Sequence, residues 1–363
     1  MSTLKSAFSA TVLQDMDATA RDVLRDLHTA RSVIFWSDLL ANAAVGWTAF
    51  VVAITSKAWS APIVAALLVA SLTLYRCLCF THEITHLRRG SLPGFETTWN
   101  LLIGVPLLLP SFAYVGVHQS HHSLSTYGTK DDPEYLPFAT SRAMIAAFAL
   151  QSSIVLPLLL FVRFVVLAPI GLLIPPFHRW LERHASSFSM NPSYRRDVPP
   201  AMASSMRRWE ALLFVVWSAT AFAVFTGRIP ARAFYVWLAV MVIVSFLNTL
   251  RVLGAHEYDS DGQVLDRHGQ LADSIDTPGG PWTTLWAPVG LRYHALHHYF
   301  PGIPYHNLGQ AYRRLLDARA CRDPYALQSS RSIGASLWTL YHRAAHAAAP
   351  VAPAARTFTK TGS

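Results

Sequence analysis

The chain has 363 residues, a formal net charge of +9, 52% hydrophobic residues and 14% charged residues, against roughly 25% charged in ordinary soluble proteins. So little polar surface excludes a soluble globule of this length, and so many apolar residues exclude disorder for most of the chain. Three cysteines exclude a disulfide scaffold, and Cys77, Cys79 and Cys321 read as small buried hydrophobes.

Residues 1–31 mix Asp, Arg and Lys without a signal-type apolar stretch, and read as a cytoplasmic N-terminal segment. A membrane span needs about 20 mostly apolar residues. The first such run is 32–55 and the second 61–80, and the short connection between them allows only an antiparallel helical hairpin. A third run, 98–117, contains Pro106 and Pro110. A fourth, 143–174, is interrupted by Pro157, Arg163 and Pro169. Runs 211–226 and 233–253, joined through Gly227, Arg228, Ile229 and Pro230, form a second hairpin. From His256 the chain turns polar and mixed, and from Ala347 it is Ala/Pro-rich and expected to be disordered. The isoelectric point near 9.7 does not indicate nucleic acid, because no basic stripe with interleaved aromatics is present. Basic residues beside apolar runs fix membrane orientation instead.

The chemistry lies in the 16 histidines. Eight fall in three tight clusters: His82 and His86; His118, His121 and His122; His294, His297 and His298. On a helix, positions i, i+3 and i+4 share a face, so each cluster aims its imidazoles at one place. Neutral imidazole is a good ligand for iron and zinc. Eight imidazoles exceed the ligands of one zinc ion and suit two metals with about four each. His256, at the polar exit of the 233–253 run, is a ninth candidate.

Over roughly residues 60–316 the sequence resembles the membrane fatty acid desaturase family. The boxes HxxxH, HxxHH and HxxHH occur in order. The run from Gly290 through Arg292, Tyr293, His294, His297, His298 and Pro301 to His306, Asn307 and Leu308, and the 127–135 stretch ending in Asp132, Pro133, Glu134 and Tyr135, are similar to members of that family. The resemblance implies a non-haem di-iron enzyme that uses O2 to desaturate a fatty acyl chain linked to lipid, CoA or a carrier. It implies two irons held by His82, His86, His118, His121, His122, His256, His294, His297 and His298. Three departures stand out. Acyl-CoA desaturases place Asn where this chain has Val252, the third box begins with His294 rather than Gln, and residues 277–280 read Thr-Pro-Gly-Gly rather than a haem-binding His-Pro-Gly-Gly.

If the three boxes meet at one site, they lie on one side of the membrane. The 98–117 run then cannot cross once, and the 143–174 run must cross an even number of times, so both are expected to be re-entrant or interfacial. The expectation is an all-α integral membrane protein. Four transmembrane helices in two hairpins are joined by interfacial helices and carry a cytoplasmic helical cap with the histidine boxes. Residues 32–316 form the membrane domain and 317–363 a cytoplasmic tail. Of 30 Lys and Arg, only Lys57, Arg228 and Arg232 fall in the outer hairpin loops and Arg76 and Arg163 within apolar runs. The positive-inside rule makes the histidine side cytoplasmic, as in a bacterial inner-membrane protein.

Two other activities compete. A membrane di-iron hydroxylase shares the first hydrogen abstraction with a desaturase. An intramembrane metalloprotease would use His82 to His86 as HExxH with Glu83 as base, but would leave six clustered histidines unexplained. Asp132 is expected to orient a ligating imidazole, with Glu83, Glu134, His306 and Asn307 also near the boxes. His178, His184, His342 and His346 read as surface or interfacial, and the tryptophans and tyrosines as interfacial belts. No dinucleotide glycine fingerprint, iron–sulfur cysteine spacing or haem motif is present. Besides the lipid bilayer and an acyl substrate, an external donor is therefore expected, a ferredoxin or cytochrome with an NAD(P)H reductase. Arg195, Arg196, Arg207, Arg208, Arg313 and Arg314 are candidates to meet it.

Overall fold

A computed structural model describes residues 8–56, 60–88 and 90–347; Lys57 and the Ala/Pro-rich tail beyond 347 lie outside the described residues. Among these the chain is helical, and pairs backbone in β fashion only at isolated bridges such as His256–Ser274 and Asp276–Tyr293. We label α1 Ala10–Val23, α2 Ser32–Thr55, α3 Ala61–His86, α4 Val117–His121, α5 Arg142–Leu173, α6 Pro175–His184, α7 Pro200–Phe225 and α8 Arg232–Leu253. The cap follows with α9 Arg267–Asp273, α10 His294–Tyr299, α11 Tyr305–Asp317, α12 Arg319–Ala326 and α13 Ile333–Ala347.

Five of these helices, α2, α3, α5, α7 and α8, are long and apolar enough to cross a membrane. The α2–α3 hairpin closes where Gly46 offers no side chain: a Cβ there would lie 2.8 Å from Leu74 Cγ. Small residues let apolar helices approach this closely. Inside the same hairpin Asp38 accepts from Arg76 Nε at 2.7 Å, and from the Tyr305 hydroxyl at 2.8 Å, which ties the hairpin to the cap. A half-buried acid and base among apolar helices are tolerated as a bonded set.

The 143–174 run departs from the sequence expectation of an interrupted segment. It folds as one helix of 32 residues, about 48 Å long at 1.5 Å per residue. Proline removes an N–H and crowds the carbonyl four residues earlier. The chain accommodates this with two π-helical turns, Gln151–Val155 before Pro157 and Val162–Leu167 before Pro169, so the helix bends without ending.

The 98–117 run is not one helix. It passes through a π turn at Asn100–Gly104, a left-handed Leu108 (φ 57°) and a 3-10 turn at Ser111–Ala113. Irregular backbone survives among apolar helices only where protein groups satisfy it. Here indole N–H groups do so: Trp47 donates to the Leu102 carbonyl at 2.9 Å, Trp217 to Val105 at 3.0 Å and Trp237 to Pro106 at 2.9 Å. Asn100 Oδ1 accepts from the Ser111 amide at 2.8 Å. These tryptophans anchor the segment that leads into the second histidine box.

The cap packs on a second apolar cluster. Leu13, Met16 and Ala20 of α1 meet Leu296 and Tyr299 of α10 and Leu308 and Leu315 of α11. The N-terminal helix thus backs the third histidine box.

Replacing Trp237 by Phe keeps an aromatic ring of smaller volume and strips the Pro106 carbonyl of its donor. An unsatisfied buried carbonyl costs about 1–3 kcal/mol, so Trp237→Phe should lower the thermal midpoint of the purified protein. An unchanged midpoint would mean that this bond does not hold the segment.

Candidate metal centre

The last turn of α3 carries His82 and His86, α4 and its C-cap carry His118, His121 and His122, the residue three past α8 is His256, and α10 carries His294, His297 and His298. The fold brings all nine together in two groups. One holds His82, His86, His118, His122 and His297; the other holds His121, His256, His294 and His298. Within each group the ligand-capable atoms lie within 4.8 Å of one another.

The division follows from helix geometry. Residues four apart point nearly the same way and the third is rotated off. His118 and His122 therefore join the first group while His121 turns to the second. His294 and His298 join the second while His297 turns to the first. Each HxxHH box serves both groups in opposite proportion. The groups touch where the His122 and His298 rings stack with centroids 4.1 Å apart.

Carboxylates and tyrosines behind the rings set the tautomers. His121 Nδ1 lies 3.0 Å from both oxygens of Asp132, which is fully buried and also accepts from the Gly128 amide at 2.9 Å and the Glu134 amide at 2.8 Å. His118 Nδ1 lies 2.9 Å from Glu134 Oε1 and 2.9 Å from the Tyr114 hydroxyl. His256 Nδ1 lies 2.9 Å from the Tyr127 hydroxyl, which donates to Asp273 at 2.8 Å; Tyr135 donates to the other Asp273 oxygen at 2.9 Å. A ring that donates through Nδ1 presents a lone pair at Nε2. Asp276 works through the backbone: it accepts from the amides of Ala295 and Leu296 at the N-terminal turn of α10, at 2.8 and 3.2 Å, and from the Tyr325 hydroxyl. That fixes the helix that aims the third box.

Burial and the neighbouring imidazoles hold His118, His122, His256, His294, His297 and His298 well below the usual histidine range, so these rings are neutral. Burial also acts to lower His121, but the Asp132 carboxylate overrides it and raises that ring. Burial pushes Glu134, Asp273 and Asp276 up to about 7.

The donor set fits metal cations. His118 Nε2 faces His122 Nε2 at 3.0 Å, His122 faces His297 at 3.1 Å, His297 faces His86 at 3.1 Å, and His256 faces His294 at 2.8 Å. One ring proton cannot serve this chain of contacts with linear hydrogen bonds. Neither nitrogen of the buried His82 has a hydrogen-bond partner among the described residues; the nearest carboxylate, Glu83, stands 3.6 Å from Nδ1. Converging neutral lone pairs are what a first-row divalent metal takes.

Of the neighbours named from sequence, Asp132 meets His121. Glu83 Oε2 accepts from the Tyr305 amide at 2.9 Å; it braces the cap, an arrangement unlike the free base a zinc protease requires. His306 accepts from the Arg31 amide at 3.1 Å, and Asn307 donates to the Leu27 carbonyl at 2.7 Å. Both join α11 to the N-terminal segment, and neither meets a clustered imidazole. His178 is buried between Glu182 and Glu210 and is not a surface residue. Tyr127 and Asp273, which hold His256, carried no local signal, because they lie 129 and 17 residues from it in the chain.

Asp132→Asn replaces a carboxylate acceptor with an amide and loosens the His121 ring. Such partners typically contribute 10–100-fold to metal affinity, so chelator titration of the purified variant should show metal loss at about tenfold or more lower chelator concentration than in the parent. Equal retention would show that Asp132 has only a structural role.

The family model described as fatty acid desaturase matches residues 57–332. A relative from Caulobacter vibrioides (strain NA1000 / CB15N), named ceramide hydroxylase, is 37% identical over 332 residues, covering 89% of this chain and 92% of its own length. With the five apolar helices and the two histidine groups, these similarities make the chain a multi-pass membrane oxidoreductase that belongs to the fatty acid desaturase family.

Proposed function

We propose that this protein hydroxylates an aliphatic carbon of a membrane lipid of the ceramide type, using O2 and two irons. The observation that carries this choice is the similarity to a ceramide hydroxylase along nearly the whole of both chains. It favours hydroxylation over the acyl desaturation expected first from sequence. Desaturation remains the second activity, because the family model bears that name.

Breaking an unactivated C–H bond is beyond any side chain, and bound iron with O2 would supply that chemistry. His82, His86, His118, His122 and His297 would hold one metal, and His121, His256, His294 and His298 the other. The rest is positioning by this chain. Asp132, Glu134, Tyr127 and Asp273 orient the rings. A cavity of about 360 Å³, walled by Leu78, Leu109, Leu156, Leu160 and Phe164, reaches His82 and gives an alkyl chain an apolar bed. A second opening of about 350 Å³ meets His86 between His28 and Pro301.

Hydroxylation consumes O2, two electrons and two protons, inserts one oxygen into a C–H bond and releases the other as water. An external donor supplies the electrons. Its docking surface is narrower than the sequence suggests, because Arg196 is buried on the carbonyls of Phe112, Val115 and Ser186, and Arg314 is paired with Asp26. Arg195, Arg207, Arg208 and Arg313 are exposed and are the cations we assign to it.

We keep four crossings, in the hairpins α2–α3 and α7–α8, with the site on the cytoplasmic side of a bacterial inner membrane. Both halves of α5 touch the box side, which supports an interfacial course: Ser152 bonds Thr249 near the site end of α8 at 2.7 Å, and Arg163 bonds Glu210 in the first half of α7. The catalytic unit would span 32–316, with 1–31 and 317–363 cytoplasmic.

Lipids of a ceramide-producing host that expresses this chain should contain a species heavier by one oxygen, absent with empty vector. A species lighter by two hydrogens would instead establish the desaturase. For topology, full-length chains with a reporter inserted after Asp131 and after Ile174 should both report the cytoplasm, and one inserted after Arg228 the outer side. An outer signal at Ile174 would make α5 a fifth crossing.

A further inference from the structure

The cap exposes a set of apolar side chains just before the third histidine box. From Thr277 to Leu291 the sequence holds no acid, base or histidine. The middle of this stretch forms a helical turn, Thr283–Trp286. Trp282, Leu285 and Trp286 are 76%, 40% and 41% exposed. At spacings of three and four residues they share one face of the turn. Single exposed apolar residues are ordinary, whereas two indoles and a leucine on one face mark an interaction surface. The chain that follows is fixed from behind: Ala287, Val289 and Leu291 are buried in the core built with α2, α3 and α8.

Position and backbone say what covers that face. The Tyr75 hydroxyl donates to the Trp286 carbonyl at 2.9 Å, and the turn packs against α8. Tyr75 stands seven residues before His82 on α3, about 10 Å along the helix axis. The segment therefore descends from the level of the histidines toward the apolar length of α3, a helix able to cross a membrane. Backbone that meets lipid must be bonded within the protein. Here the amides of Thr283, Thr284, Leu285 and Ala287 donate to the carbonyls of Gly280, Pro281, Trp282 and Thr283 at 3.0, 3.1, 3.1 and 2.9 Å. The Thr284 hydroxyl donates to the Pro281 carbonyl at 2.6 Å, and Pro281 and Pro288 carry no N–H. A soluble partner protein would require a polar rim around the contact, and this uncharged stretch offers little for one. Tryptophan is instead the residue enriched where bilayer meets water.

We infer that Trp282, Leu285 and Trp286 dip this part of the cap into the interfacial layer of the bilayer, with their side chains among the glycerol groups and first methylenes of the lipids. Leu291 lines the cavity that reaches His82, and His294 follows three residues later. Lipid thus grips the chain where it enters the third histidine box. That the leaflet is the cytoplasmic one rests on the topology proposed above; the lipid contact rests on the exposed face, its bonded backbone and its depth along α3.

The test uses the full-length chain in phosphatidylcholine nanodiscs, with the polarity-sensitive dye nitrobenzoxadiazole attached at Trp282→Cys or, separately, at Leu285→Cys. Asp22→Cys, at an exposed position on α1, is the reference, and the three native cysteines are buried. At 282 and 285 the emission should shift to the blue of that at 22. It should also lose intensity when the disc contains lipid with a nitroxide high on the acyl chain, and lose less with a nitroxide at the chain end. The dye at 22 should do neither. Two labelled positions keep the test open if one variant fails to fold. Water-like, unquenched emission at the labelled positions would overturn the inference. Blue-shifted emission that nitroxide lipids leave unquenched would overturn it too, and would assign the face to a partner protein or a second copy of the chain. The lipid contact and the topology fail separately. Lipid quenching together with an outer signal from the reporter after Asp131 would sink the topology and leave the contact, whereas a cytoplasmic reporter with an unquenched dye would do the reverse.

Discussion

Everything in this molecule follows from the need to hold nine imidazoles converging in a chain whose long helices are built for lipid. Imidazole binds metal only when deprotonated at the ligating nitrogen, and bringing many rings together favours that state, since each proton is opposed by burial and by its neighbours. The same crowding would scatter the rings if nothing held them. Asp132 behind His121, Glu134 behind His118 and the Tyr127–Asp273 pair behind His256 supply the restraint. The reciprocal use of the two HxxHH boxes locks the groups together, because moving α4 or α10 disturbs both at once.

That arrangement dictates the fold around it. The histidines come from chain segments far apart in sequence, so each helix must deliver its ring-bearing end to one level. α3 does so by continuing as a helix past its apolar stretch to His86. The second box does not arrive that way, since the preceding run breaks at a left-handed Leu108 and a 3-10 turn at Ser111–Ala113. It arrives instead on irregular backbone whose carbonyls are met by indoles from α2, α7 and α8. The third box sits on a helix of six residues, too short to be stable alone, and is held by Asp276 at its start and by α1 and α11 along its apolar side.

Much of this is legible in the sequence because its signals are local. The hairpins follow from run length and short connections, and the box spacing places His82 with His86 and groups the rest by helical turn. The division of each box between two groups follows from the same spacing, but which partner ring each joins depends on the tertiary arrangement. The restraint of His256 by Tyr127 and Asp273 was not legible, because nothing near His256 in the chain signals it. The continuity of α5 is hidden for a different reason: proline ordinarily interrupts a helix, whereas π turns before Pro157 and Pro169 absorb the lost hydrogen bonds. His178 and Arg196 look like surface charge in an Arg-rich stretch; burial on Glu210 and on backbone carbonyls is a property of the packed structure alone.

The central claim is that the two histidine groups form two metal sites in one centre. Iron content and Mössbauer spectra of the purified, iron-loaded chain test it most directly. Two irons per chain with coupled, nitrogen-rich signals are predicted, together with loss of most bound iron when His118 and His297 are both replaced by Ala. A single metal per chain, retained at the same stoichiometry in that double variant, would contradict the account.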